Sequence, residues 1–230
     1  LLTEMTDRKS LTLFPEPYYT LKQSGSYDRK TISPDRPGWF ANDDYTEFDA
    51  VETRGELTEY VLFDEEGPGA VVRWWMTFAG KGGHNGIVRI YIDHAETPVV
   101  QDSVLRVISG QLLAGEPLSS SVSPLTNPLQ RGHNLYLPIP YSKHCKITYE
   151  CAAINITTSK KTPSIYYNIC FRTYDKGTSV VSFSRKELIR ASSLIKKVNG
   201  SLASPLSSDQ REVKKVSGSR KLLHGEKLKI

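Results

Sequence analysis

"GAVVRWWMTF", Gly69 to Phe78, and "GIVRIYID", Gly86 to Asp93, decide the fold class of this chain. Both runs are rich in β-branched and aromatic side chains and both open on glycine, which is the composition of β-strands set off by turns. In the second run Val88, Ile90 and Ile92 fall on one side, and Ile87, Arg89 and Tyr91 on the other. Successive side chains of a strand point to opposite faces, so one face reads as core and the other as partly wet. The Gly-rich "AGKGGHN" between the runs predicts a β-hairpin. Trp74 and Trp75 are adjacent, so one ring should enter the core while the other reaches the opposite face.

The same period recurs downstream. In "CKITYECAAI" Ile147, Tyr149 and Cys151 alternate with Lys146, Thr148 and Glu150. "SIYYNICFRTY" is apolar or aromatic at nearly every position, which predicts a central strand covered on both faces, and "TSVVSFS" predicts another strand. Many short strands broken by Pro and Gly turns, with little helix, give an all-β chain, an antiparallel sandwich or barrel. One helix is legible. Ser184 and Glu187 form a capping box, and Leu188, Ala191, Ile195 and Val198 make a stripe that ends at Asn199-Gly200. Residues 1–199 therefore read as a β-sandwich with a peripheral helix, and 200–210 as a Ser/Pro-rich linker. Residues 211–230 read as the start of a second, truncated β-domain, because "KLLHGEKLKI" opens a fresh alternation and stops inside a strand that lacks its partners.

Bulk properties narrow the function. The 230 residues are 38% hydrophobic, enough for one substantial core. No run approaches the roughly 18 apolar residues of a membrane helix, so no membrane partner is expected. "LLTEMTDRKS" lacks the basic-then-apolar plan of a signal peptide. The net charge of +5 collects after Ser184, where Arg185, Lys186, Arg190, Lys196 and Lys197 surround a helix. That is a solvated face rather than a phosphate track, and nucleic acid is not expected as a partner. Cys145, Cys151 and Cys170 lie in strand-like segments and read as buried thiols. His84, His94, His133, His144 and His224 show no i,i+4 pair and no Cys-x-x-Cys partner, so no metal or other cofactor is expected. Side chains of His144 and Cys145 should face opposite ways, against a thiol–imidazole pair. "DEEGPGAV" reads as a tight turn rather than a calcium loop.

The stretch "SGSYDRKTISPDRPGWFANDDYTEF", Ser24 to Phe48, has no periodicity yet is crowded with rings and charges. Sugar sites use carboxylates and Arg or Asn forks for hydroxyls and aromatic faces for the apolar side of the ring. Tyr27, Asp28, Arg29, Trp39, Asn42, Asp43 and Asp44 supply that mixture. If Asn42 to Tyr45 is extended, Asp43 and Asp44 face opposite ways and only one enters a given pocket. The competing reading is that Arg29 or Arg36 bridges these acids merely to hold a long loop together. A retaining glycosidase needs two carboxyls about 5–5.5 Å apart, and no spacing in the sequence supplies such a pair.

Six motifs in order carry a family resemblance: "SYDR" at Ser26, "ND" at Asn42, "GPGAVVRWWMT" at Gly67, "VRIYID" at Val88, "NLYLPIPYSKHCKIT" at Asn134 and "YYNICFRTY" at Tyr166. Together they resemble the domain of unknown function 2961 family, also classed as glycoside hydrolase family 172, over about residues 1 to 190. The resemblance implies an antiparallel jelly-roll β-sandwich that is the first half of a double jelly roll, assembled as homo-trimers or hexamers. It implies retaining enzymes that act on fructofuranosides or arabinofuranosides without a metal, with a pocket close to a subunit interface, and it leans towards a secreted or periplasmic location. Arg29, Asn42 and Asp43 correspond to pocket-lining residues that bind sugar hydroxyls or orient a neighbouring acid, with Tyr27, Trp39 and Asp44 beside them. The catalytic carboxylates of that family are expected in the second jelly roll, in motifs similar to Gly-Glu-Gly-Glu and Thr-Glu-Asp-Tyr. Neither occurs here, and Thr58-Glu59-Tyr60 lacks the Asp, so no residue of this chain is assigned as catalytic. Three readings follow: half of a furanoside hydrolase, a carbohydrate-binding module, or a structural jelly roll whose long loop makes subunit contacts.

Overall fold

The computed structural model describes residues 1–79, 82–110, 112–121, 131–151 and 163–204, with isolated positions between 125 and 129 and between 218 and 224. Its strands run β1 (Tyr19–Gly25), β2 (Ala50–Arg54), β3 (Leu57–Glu66), β4 (Gly69–Phe78), β5 (Ile87–Ile92) and β6 (Val100–Ser103). They continue as β7 (Ser119–Ser121), β8 (His133–Leu135), β9 (Ile139–Tyr141), β10 (His144–Glu150) and β11 (Ile165–Tyr174). One sheet has the order β1-β11-β4-β8-β7, with β9 also on β4, and the other β2-β3-β10-β5-β6. Every pairing is antiparallel.

The pairings explain the architecture. β1 pairs with β11, β3 with β10, β4 with β8 and β9, and β5 with β6. The chain is thus a long antiparallel ribbon, doubled back between β5 and β6 and wound round one core, which is the jelly-roll wrap expected. Inward positions of both sheets meet in that core: Trp74, Met76, Tyr167, Ile169 and Phe171 from one, Phe63, Ile90, Cys145, Ile147 and Tyr149 from the other. Phe63 sits edge-on to Phe171 at 4.9 Å between ring centroids. Trp74 is fully buried and its neighbour Trp75 is half-buried, as alternation requires.

The expected hairpin between Gly69 and Asp93 is corrected by this wrap. β4 and β5 belong to different sheets, and the segment between them crosses from one to the other. Its glycines make room rather than a two-residue turn: Gly86 has an ordinary φ of −69°, but a side chain there would run into the Tyr149 ring. The Tyr149 hydroxyl donates to Gly83 O at the same place. Three further expectations change. β11 is central, but only Ile165, Tyr167, Ile169 and Phe171 are buried; the intervening side chains are half-buried on an outer face. Residues 178–184 form no strand; Phe183 N–H donates to Pro140 O, while Ser182 turns to Asp93. Cys145 is buried, whereas Cys151 and Cys170 are half-buried, and none of the three forms a disulfide.

Helices are peripheral: α1 (Val104–Ile108), α2 (Arg185–Arg190) and α3 (Ser192–Ala203). Ser184 Oγ accepts the Glu187 N–H at 3.2 Å, the N-cap that the sequence predicts. Ile195 and Val198 seat α3 on the sandwich. The helix passes the expected stop at Asn199-Gly200. Asn199 does not cap it, because its amide is taken by the loop before β7, accepting from Leu118 N–H (3.0 Å) and donating to Ala114 O (2.6 Å). Most of the segment after Ser204, and with it most of the expected linker and second domain, lies outside the described residues. No helix among the described residues is long and apolar enough to cross a membrane.

Two outcomes test this packing. Gly86→Ala should lower the urea unfolding free energy by about 1–3 kcal/mol through overpacking alone, since alanine tolerates the native φ. Ellman's reagent should titrate at most two of the three thiols in the native protein and all three in denaturant, because burial pushes the Cys145 thiol well above its ordinary pKa.

Candidate functional site

The long loop joins β1 in one sheet to β2 in the other, and both of its ends are seated on β11 and β3. Ser26 N–H donates to Tyr167 O (3.1 Å), and Tyr167 N–H returns a bond to Ser26 Oγ (3.1 Å). At the far end Phe48 lies 4.8 Å from Tyr60 and stacks on Tyr167 at 6.2 Å, while Asp49 N–H donates to Val61 O. The ends are also bonded to each other. Ser24 Oγ is 2.9 Å from Asp49 Oδ2, and Arg29 Nη2 donates to Asp49 Oδ1 at 2.5 Å.

Arg29 therefore does bridge an acid, but the acid is Asp49 and not the Asp43–Asp44 pair. Burial works against its charge, yet the bond to Asp49 and the proximity of Tyr167 outweigh that and hold its pKa above the ordinary value. Its guanidinium also lies 5.0 Å over the exposed Tyr27 ring. Asp28, 3% exposed, organises the interior of the loop. Its Oδ1 accepts from Lys30 N–H (3.0 Å) and its Oδ2 from Asp43 N–H (2.9 Å), while its own N–H donates to Asp44 Oδ1 (3.0 Å). Asp43 is not extended (φ −107°, ψ 39°) and Asp44–Thr46 is a turn of 3₁₀ helix. This removes the basis for splitting the two carboxyls onto opposite faces. Both influence Tyr166: burial first, then Asp44, Tyr45 and Asp43 raise its phenol pKa. Tyr45 packs against that ring at 5.9 Å.

The remaining predicted residues lie outward. Asn42 is exposed. Trp39 contacts Phe40 at 5.6 Å, and its carbonyl accepts from Ile32 N–H; Ile32, Trp39 and Phe40 form an exposed apolar tip.

What sequence reasoning missed is the surface against which the loop lies. Tyr166, Asn168 and Cys170 on β11 are aligned with Thr77, Trp75 and Arg73 on β4, and Asn134 on β8 is level with Trp75. Arg73 reaches Asn168 Oδ1 (3.4 Å) and Asn134 Oδ1 (3.2 Å), so a guanidinium and two amides are held rigidly beside two aromatic rings. Alternation within "YYNICFRTY" already puts Tyr166, Asn168 and Cys170 on one side; reading the strand as doubly covered hid it. This face and the Asp43–Asp44 turn make one wall. An apolar hollow of about 430 Å³ lies elsewhere, between the amino-terminal segment and α2, lined by Leu2, Pro138, Tyr174, Val181 and Leu188.

The family model described as the GH172 first beta-sandwich domain matches residues 17–191. The chain belongs to glycoside hydrolase family 172. The match takes in the whole wrap from just before β1 to just beyond α2, with the long loop inside it. No curated protein matches the chain.

Within this family 172 sandwich Glu59 has a structural place. It is 1% exposed on the outer side of the second sheet, where it accepts from Thr148 Oγ1 (2.6 Å), Tyr91 Oη (3.2 Å) and Arg89 Nη1 (3.4 Å). Arg89 also bonds Glu150 (2.6 Å), whose side chain is 34% exposed, so the face expected to be partly wet carries a polar network that is buried at Glu59 and open to solvent at Glu150. Among the described residues, Glu66, His94 and His144 are grouped closely enough to share a cation, at the other end of β3 from the long loop. Spacing along the chain could not show them, because the wrap brings them from three separate turns. Glu59→Ala leaves Arg89 its bond to Glu150 but takes the shared acceptor from the buried Thr148 and Tyr91 hydroxyls, and should cost about 1–3 kcal/mol in chemical denaturation; a loss below about 0.5 kcal/mol would contradict the network's role.

Proposed function

We propose that this family 172 module is the amino-terminal half of a retaining furanoside hydrolase, of the fructofuranoside or arabinofuranoside type, and supplies one wall of the sugar pocket. The observation that carries the reading is the continuity of the Asp43–Asp44 turn with the outer face of Tyr166, Trp75, Asn168 and Arg73. A furanose ring has one apolar side and several hydroxyls; aromatic surface flanked by fixed amides, a guanidinium and carboxylates fits both. Asp43 and Asp44 contact substrate or orient an acid brought by a second sandwich, and Asn42 lies on the exposed side of the same turn. Arg29 and Tyr27 act through Asp49 and the loop's shape. The chain alone is not catalytic.

The open form of the wall favours a pocket completed by another sandwich or subunit. The exposed Ile32, Trp39 and Phe40 tip supports a homo-oligomer, trimeric or hexameric, in which that tip is covered.

Tryptophan fluorescence of the 230-residue chain should change saturably with methyl arabinofuranoside or a fructofuranoside and much less with methyl glucopyranoside. Trp75→Ala should abolish the response, and 4-nitrophenyl arabinofuranoside should not be hydrolysed. In an enzyme carrying both sandwiches, Asp43→Ala should lower kcat/KM at least about tenfold with the circular dichroism unchanged. Equal pyranoside binding would overturn the furanoside assignment, and turnover by this chain alone would overturn the half-site.

A further inference from the structure

Three turns meet at the end of the sandwich away from the long loop: the end of β3, the β5–β6 connection and the β9–β10 connection. Asp93 binds them together. Its Oδ1 accepts from the N–H groups of Ser142 (3.1 Å), Lys143 (2.7 Å) and His144 (3.3 Å), and its Oδ2 from the hydroxyls of Ser142 (2.9 Å) and Ser182 (2.5 Å). Asp93 and His94 both take left-handed backbone conformations, with φ of 55° and 62°. This geometry lays the His94 ring on the His144 ring, with centroids 4.4 Å apart and planes within 8°. His94 Nε2 is 3.4 Å from Glu66 Oε2.

His144 is the anchored member. Its side chain is 12% exposed, and its Nε2 is 2.6 Å from Asp64 Oδ1. A carboxylate on one ring nitrogen fixes the tautomer and leaves a lone pair on the other, the arrangement that orients metal-binding imidazoles. That other nitrogen, Nδ1, is buried without a hydrogen-bond partner. One ligand atom each from Glu66, His94 and His144 falls within 4.8 Å of the others.

We infer that Glu66, His94 and His144 form a divalent-cation site of the zinc class, with Asp64 as the positioning residue behind His144. Two imidazoles and one carboxylate favour zinc and its transition-metal neighbours over magnesium or calcium, which prefer all-oxygen shells. Bonds of about 2.0–2.2 Å require the three ligands to draw closer together. Two parallel imidazole planes cannot both contain one ion, so His94 must also rotate. Both movements fall to residues with room for them: the side chains of His94 and Glu66 are 54% and 74% exposed. Glu66 lies six positions along β3 from Tyr60, where Phe48 packs, a span of about 20 Å. The cation therefore does not belong to the sugar wall; it ties three turns of the sandwich together.

The test is zinc titration of the full 230-residue chain by calorimetry, with thermal melting in zinc and in magnesium. The expected result is one saturable zinc equivalent, a raised Tm in zinc and no effect of magnesium. The double variant His94→Ala/Glu66→Ala changes only exposed side chains and should keep the apo melting temperature while losing the zinc equivalent. Asp64→Asn should weaken zinc by about tenfold or more. Absence of stoichiometric binding, or undiminished binding by the double variant through His84, His133, His224 or a free thiol, overturns the site.

Discussion

Strand β11 is hydrogen-bonded along both edges, to β1 and to β4, and the placement of the outer wall beneath the long loop follows from that constraint. Pairing on two sides fixes its register, and register fixes which side chains enter the core. Tyr167 goes inward, accepts from the Ser26 N–H at its carbonyl, donates its N–H to Ser26 Oγ and stacks under Phe48, so one residue seats both ends of the loop. Tyr166 and Asn168 must then face out, beside Trp75 and Arg73. The wall is the reverse side of the core, and neither can shift without the other.

The second sheet solves a different problem. Its outer side carries Glu59, Arg89, Tyr91, Thr148 and Glu150, polar groups at positions where an edge-exposed sandwich would normally be wet. These groups bond one another laterally, across β3, β5 and β10, so the buried carboxylate of Glu59 finds its donors within the sheet. Such a network fixes the strand register strongly, since a slip would leave a buried carboxylate facing no donor.

Much of this was readable from the chain. Period-two runs marked β4, β5 and β10, a nearly continuous apolar run marked β11, the capping box marked the helix start, and the adjacent tryptophans were divided between faces as alternation demands. The wrap itself was not readable, because a Gly-rich connection looks alike whether it folds a hairpin or clears space for a ring; only Tyr149 against Gly86 distinguishes them. Within the loop, residue types singled out the segment but did not separate the acids that hold it together from those that face β11. Asp28 and Asp49 hold the scaffold, while the similar carboxylates of Asp43 and Asp44 lie by the wall. A single sequence gives identical side chains no way to reveal which backbone amides they will meet. The grouping of His94 with His144 was hidden for the same reason, fifty positions apart and joined only by the winding of the ribbon.

The bond between Ser24 and Asp49 closes the loop into a ring at its neck. The tip of the loop, around Ile32, Trp39 and Phe40, projects outward from the sandwich, and the entropic cost of closing a segment grows only slowly with its length. Residues near Pro34 and Pro37 can accordingly be inserted, deleted or exchanged at small thermodynamic cost to the barrel of strands below. The outward tip is thereby an interchangeable cassette: its sequence can vary while the closure at its base preserves the fold.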